Sequence, residues 1–228
     1  MAELLLLVAV AWVLLLAGHG TNAARLAKQV TRPGATKEGY YGFIATMDVY
    51  GFNLSSNQLS TGAILLYDQG DTDGYQKTGC PNPSCTRDFI PEQGAPIAAG
   101  GVIETVSQLN GPKQYITIKI IKDKLALIGR FPKTLFTGGL ANRAADIQVG
   151  GHVLTSMNNL APMGSGYLPI FNAMSSASMS NVQFIDQNGH ALPMNQISLT
   201  YITDSNIYAV GPIVNGQFFY GGPFQLST

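Results

Sequence analysis

The chain has 228 residues, only 11% of them charged, and its 13 Lys and Arg balance its 13 Asp and Glu. A neutral chain with no basic cluster excludes nucleic acid and anionic lipid as main partners. The 26 glycines and the frequent Asn and Ser suit many strands joined by tight turns, and the length suits one β domain with a sizeable core.

The chain opens with an unbroken apolar run, residues 4–17, followed by small and polar residues. As a helix the run would cover about 21 Å at ~1.5 Å per residue, short of a ~30 Å hydrocarbon core. Residues 1–23 are therefore expected to be a secretory signal peptide, with Thr21-x-Ala23 as its small-residue cleavage site. Glu3, and the lack of Lys or Arg before the run, depart from the usual basic start. A membrane anchor is the lesser alternative. Cleavage would leave about 205 of the 228 residues, destined for the extracellular space.

Residues 24–39 carry mostly basic charge and read as a linker. From residue 40 the pattern turns to period two. Residues 40–54, YYGFIATMDVYGFNL, read as one long strand, and residues 63–67 as another that ends at the turn-rich DQGDTDG. The stretch GCPNPSC holds both cysteines. In an oxidising compartment Cys80 and Cys85 are expected to form a disulfide closing a small, rigid loop; a two-cysteine metal site is the alternative, with no His or acid pair at ligand spacing. Residues 96–106 are a further candidate strand. Residues 114–131 read as a hairpin turning at Lys122-Asp123-Lys124, with Ile116, Ile118 and Ile120 on one face. Residues 132–143 are the one place for a short helical turn. Strands follow at 147–154, 182–185 and 197–203, and Asn188-Gly189 and Asn215-Gly216 mark two hairpin turns. Many short strands with no βαβ alternation predict an all-β fold, an antiparallel sandwich of two sheets, in one domain over residues 40–228.

Five stretches, in this order, carry a resemblance: YYGFIATMDVY, GCPNPSC, PMGSGYLP, NVQFID and the terminal FFYGGP. Together they resemble the neprosin-type domain of plant secreted proteins over nearly the whole mature chain. The resemblance implies a β-sandwich acting as a glutamic endopeptidase at acid pH, cutting next to proline. Such chemistry needs one ionised carboxyl to take a proton from water and one protonated carboxyl to polarise the scissile carbonyl. In the family the second glutamate follows a Gly-Gly pair in a strand; here the pair is Gly150-Gly151 and the next residue is His152. The first precedes an Ala-Gly-aromatic step; the matching position is Ser60, with Gly62 retained and Ala63 in place of the aromatic. Both expected carboxylates are thus replaced. The family's activation segment is also long, whereas about 16 residues separate signal and domain here.

The resemblance therefore implies a secreted, catalytically degenerate relative that keeps its groove for a peptide or cell-wall ligand, works as a monomer and uses no cofactor or metal. Tyr67, Tyr115, Tyr167 and Phe171 are the candidate groove aromatics. The alternative is an active acid endopeptidase with relocated carboxylates, for which Asp48, Glu104 and Asp146 are the candidates and Glu92 reads as solvated surface. Ser60 and His152, if opposed across the groove, would form a nucleophile and base instead, since a histidine near its ordinary pKa of ~6.5 can accept a proton at neutral pH. Asn53-Leu54-Ser55 is the one glycosylation sequon in the chain, available if its end of the strand is exposed.

Overall fold

The computed structural model describes residues 24–32, 39–67, 89–97, 101–122, 128–136, 138–156, 158–169, 175–194, 199–202 and 207–223. The expected signal peptide, the Cys80–Cys85 loop, the turn after Tyr67 and Phe171 lie outside the described residues.

The architecture is all-β and antiparallel. In chain order the strands are β1 (Ala24–Arg32), β2 (Gly42–Asp48), β3 (Leu59–Tyr67), β4 (Ile90–Pro91), β5 (Tyr115–Ile121), β6 (Gly129–Arg130), β7 (Asp146–Ser156), β8 (Met163–Gly164), β9 (Ala177–Ile185), β10 (Ala191–Pro193), β11 (Leu199–Ile202), β12 (Ala209–Val210) and β13 (Phe218–Gly222). Two sheets pack face to face. One runs β11-β1-β7-β3; the other runs β12-β13-β9-β2-β5, with β10 added to β9 and β8 to β13. A separate two-stranded ribbon joins β4 to β6. Among the described residues no helix is long and apolar enough to cross a membrane.

Period-two patterning places the core. In β7, Ile147, Val149 and Val153 are almost fully buried and share one face with Gly151, as alternate side chains must. They meet Phe43, Ala45 and Met47 of β2, Met179 and Val182 of β9, and Phe218 and Tyr220 of β13 in one cluster between the sheets. Each large apolar side chain so buried contributes on the order of 1.5–3 kcal/mol.

Several expectations are met. Ile116, Ile118 and Ile120 lie half-buried against the core from one face of β5. Two short 3-10 turns, Lys133–Leu135 and Gly138–Ala141, fall inside 132–143. Asn215 and Gly216 both adopt positive φ (51° and 72°) between the bridged residues Val214 and Gln217, the geometry of a tight primed hairpin. Asn188-Gly189 turns β9 into β10, with Gly189 at φ 86°.

Others are corrected. Residues 24–32 are not a linker: they form β1, hydrogen-bonded to β7 on one side and β11 on the other. Their basic charge disguised a strand whose stability comes from two ladders, which composition does not report. The long strand expected over 40–54 stops at Asp48. There the ladder with β5 makes its last bond, from the Val49 N–H to the Gln114 carbonyl, and the Val49 carbonyl turns away to accept the Ser107 N–H. Residues 101–106 are irregular rather than a strand, with Val102 largely exposed. Of the expected hairpin, the outgoing arm is β5, which pairs with β2; residues 123–127, its turn and the start of its return, lie outside the described residues, and the end of the return, β6, pairs with β4.

Candidate functional site

The site implied by residues 60 and 152 lies on the strand pair β3–β7. The register runs Leu59↔Leu154, Ser60↔Val153, Thr61↔His152, Gly62↔Gly151 and Ala63↔Gly150 without a bulge. Residues directly opposite in an antiparallel pair share a face. Val153 is fully buried in the core, so Ser60 faces inward with it. His152 lies on the other face, opposite Thr61. The structure therefore separates Ser60 from His152 across the thickness of the sheet. The nucleophile–base arrangement considered for them does not form.

Ser60 is instead a strut. Its hydroxyl donates to the Pro162 carbonyl at 2.5 Å and so holds the segment that precedes β8. Neighbouring bonds do the same work. Gln58 Nε2 donates to the Asn159 carbonyl (2.9 Å), and so does the Thr155 hydroxyl (2.7 Å), whose oxygen accepts the Ala161 N–H (2.7 Å). The Tyr208 hydroxyl donates to the Ala161 carbonyl (2.9 Å).

The Gly-Gly and Met-Gly-Ser-Gly stretches explain one another in this frame. A Cβ on Gly151 would sit 2.5 Å from Met163 Cγ and Sδ and 2.9 Å from Tyr220 Cδ2. A Cβ on Gly62, its cross-strand partner, would come within 3.2 Å of Met47 Sδ and 3.3 Å of the Tyr220 hydroxyl. The paired glycines thus open a slot that Met163 and Tyr220 fill. Gly164, at φ 60°, lets the chain turn immediately behind Met163, where a Cβ would meet Ala177 Cβ at 2.5 Å.

On the outward face, Thr61 and His152 are both half-buried, and Nε2 of His152 is enclosed by protein. The Thr61 hydroxyl donates to the Gly62 carbonyl (2.8 Å). Along β7 the same face carries Asp146, Gln148 and Gly150, with Gln148 Nε2 at 3.5 Å from Asp146 Oδ2. Ala63 lies beside Gly150, and Lys28 is the β1 register partner of His152.

The acids considered as relocated catalysts go elsewhere. Asp48 is in the other sheet, its side chain 0% exposed, where it accepts from Lys113 Nζ (2.8 Å), the Ser178 N–H (3.0 Å) and the Ser178 hydroxyl (3.0 Å). Lys113 also donates to the Ser176 carbonyl (2.9 Å). Burial, with Asp48 adding a negative charge nearby, pushes the phenols of Tyr50 and Tyr220 well above their ordinary range and keeps both protonated. Glu104 is exposed in the irregular segment, not in a strand, and Glu92 faces Arg130 at 3.6 Å on the surface. Asp146 stands at the far end of β7 opposite Tyr67. Of the candidate groove aromatics, Tyr115 belongs to β5 in the other sheet and is 59% exposed, so it does not line this face. Tyr167 is half-buried just beyond the Met163 segment, its N–H donating to the Ser165 hydroxyl (3.2 Å).

Sequence reasoning missed Thr61, Gln148 and Lys113. A signal for Thr61 was present, since aligning Gly62 against Gly151 sets Thr61, not Ser60, opposite His152. For Lys113 there was none, as its partner lies 65 positions away.

The Neprosin family model matches residues 50–223, which include β3, β7, the Met163 segment and Tyr220. No curated protein matches the chain. With the two-sheet fold, the glycine slot and a family match over most of its length, the chain belongs to the neprosin family.

Proposed function

We propose that this chain is a secreted neprosin-family protein that lacks glutamic peptidase chemistry and holds a peptide on the outward face of β7 and β3, around Thr61 and His152. The observation that carries this reading is the register: Thr61 stands opposite His152, while Ser60 is turned inward onto the Pro162 carbonyl. Splitting a peptide bond with water activated by carboxyls requires one acid as base and one as donor, both at the same water. The outward pair offers a hydroxyl and an imidazole. The buried acid of the other sheet, Asp48, is already committed to Lys113 and Ser178. The face does suit recognition. Thr61 and His152 stand half-buried beside the small, buried Ala63 and Gly150, and their hydroxyl and imidazole are groups that can hydrogen-bond an extended backbone.

The test uses secreted, mature protein mixed with a proline-containing peptide from acid to neutral pH. The expected result is binding without cleavage, the binding weakened by Thr61→Arg or His152→Ala. Cleavage that disappears in Glu104→Gln or Asp146→Asn would instead establish an active endopeptidase with relocated carboxylates. Binding of cell-wall oligosaccharide with none of peptide would refute the peptide assignment.

A further inference from the structure

The loop that leaves β2 contains Asn53-Leu54-Ser55, and the fold sorts these three side chains by direction. Leu54 is half-buried and packs against the core cluster. Asn53 is exposed on one side of it and Ser55, Ser56 and Asn57 on the other. Immediately behind, the chain closes a tight turn. The Ser55 hydroxyl is shared between Asn57 Oδ1 (2.8 Å) and Gln58 Oε1 (2.9 Å), Gln58 Oε1 also takes the Ser55 N–H (3.0 Å), and the Gln58 N–H donates to the Ser55 carbonyl (2.9 Å). Gln58 Nε2 then ties the turn to the Asn159 carbonyl (2.9 Å). The loop is thus fastened to the body by Leu54 and Gln58, and Asn53 projects from it into solvent.

We infer that Asn53 carries an N-linked oligosaccharide. Asn-x-Ser with a non-proline middle residue is the acceptor motif of the secretory pathway. The donor is an oligosaccharide on a lipid diphosphate. The Asn53 amide nitrogen bonds to the anomeric carbon of the first sugar, the bond from that carbon to the diphosphate oxygen breaks, and the lipid diphosphate leaves with the electron pair. The amide gives up one proton to the transferase. The sugar is added before the loop folds, so the native loop must close with it outside. An inward Asn would have to bury a bulky polar group; Asn53 does not, because the inward position is taken by Leu54.

This inference rests on the secretory reading of residues 1–23. The full chain is translated in the presence of microsomes, then split between added protease and endoglycosidase H. The expected result is a protease-protected chain with a one-glycan mobility shift that the glycosidase reverses. The shift should vanish in Asn53→Gln and Ser55→Ala and survive in Ser55→Thr. A protected chain without the shift, or a shift that persists in Asn53→Gln, overturns the site while leaving secretion intact. A chain open to the protease overturns secretion and the glycan together.

Discussion

Two polar spots within the described sheets are built in opposite ways. On the seven-membered sheet, Asp48 is fully enclosed and satisfied three times over, by an ammonium, an N–H and a hydroxyl. On the four-stranded sheet, Thr61 and His152 are half-buried on the outward face, and the inner side behind them is crowded with glycine, methionine and tyrosine. The first spot has an acid and no room for a substrate. The second has a half-buried hydroxyl and imidazole and no acid pair. A buried carboxylate is therefore not a catalytic one by default. What decides is whether its lone pairs are already committed and whether a reacting atom can reach it.

Breaking the first spot should have the largest effect. Lys113→Ala leaves the Asp48 carboxylate buried without its cation and should cost about 3–5 kcal/mol in urea unfolding. A loss below about 1 kcal/mol would mean that water replaces the lysine and that the spot is not closed. Next comes the inner side of the second spot. Gly151→Ala drives a methyl group into Met163 and should cost about 1–3 kcal/mol. Met163→Ala in the same chain should relieve part of that loss, a coupling read from the double-mutant cycle.

Adjacent residues of β3 should answer the same change differently. Ser60→Glu replaces a donor with an acceptor against the Pro162 carbonyl and should destabilise by about 2 kcal/mol. Thr61→Glu, on the outward face, should stay within about 1 kcal/mol of the parent in the same denaturation series.

The smallest effect belongs to the surface hairpin, away from both spots. The backbone N–H of His190, assisted by the N–H of Asn188 and by the His190 ring, holds the Asp186 carboxyl below its ordinary value of 3.8. A lowered folded-state pKa adds stability that is present above the unfolded value and is lost as pH falls through the folded one. Asp186→Asn should therefore lower Tm slightly at neutral pH, and the gap to the parent should close below about pH 4. A gap that widens in acid would contradict the bonding around Asp186.

Much of this was legible in the sequence, because alternation and turn chemistry are local. Ile147, Val149 and Val153 announce β7 and its buried face, and Asn215-Gly216 announces its hairpin. What was not legible depends on pairing. Nothing in ARLAKQVTR says that it lies between β7 and β11, since two backbone ladders hold it there. Nothing in KQYITIKII says that it lies beside β2. The site itself turned on a single step of register. The motif points to Ser60, yet side chains alternate faces, so shifting by one residue exchanges the core for solvent. Asp48 was a candidate catalyst only until Lys113 and Ser178, 65 and 130 positions away, were seen to enclose it.

That step of register can be read directly by oxidative cross-linking. Two chains are compared, Thr61→Cys with His152→Cys and Ser60→Cys with His152→Cys, and the linked peptides are identified by mass spectrometry. Cysteines directly opposite on adjacent strands fall within disulfide reach, while those on opposite faces of a sheet do not. The β3–β7 register gives a 61–152 link and no 60–152 link. A 60–152 link in the folded protein, with none between 61 and 152, would put Ser60 beside His152 and contradict it.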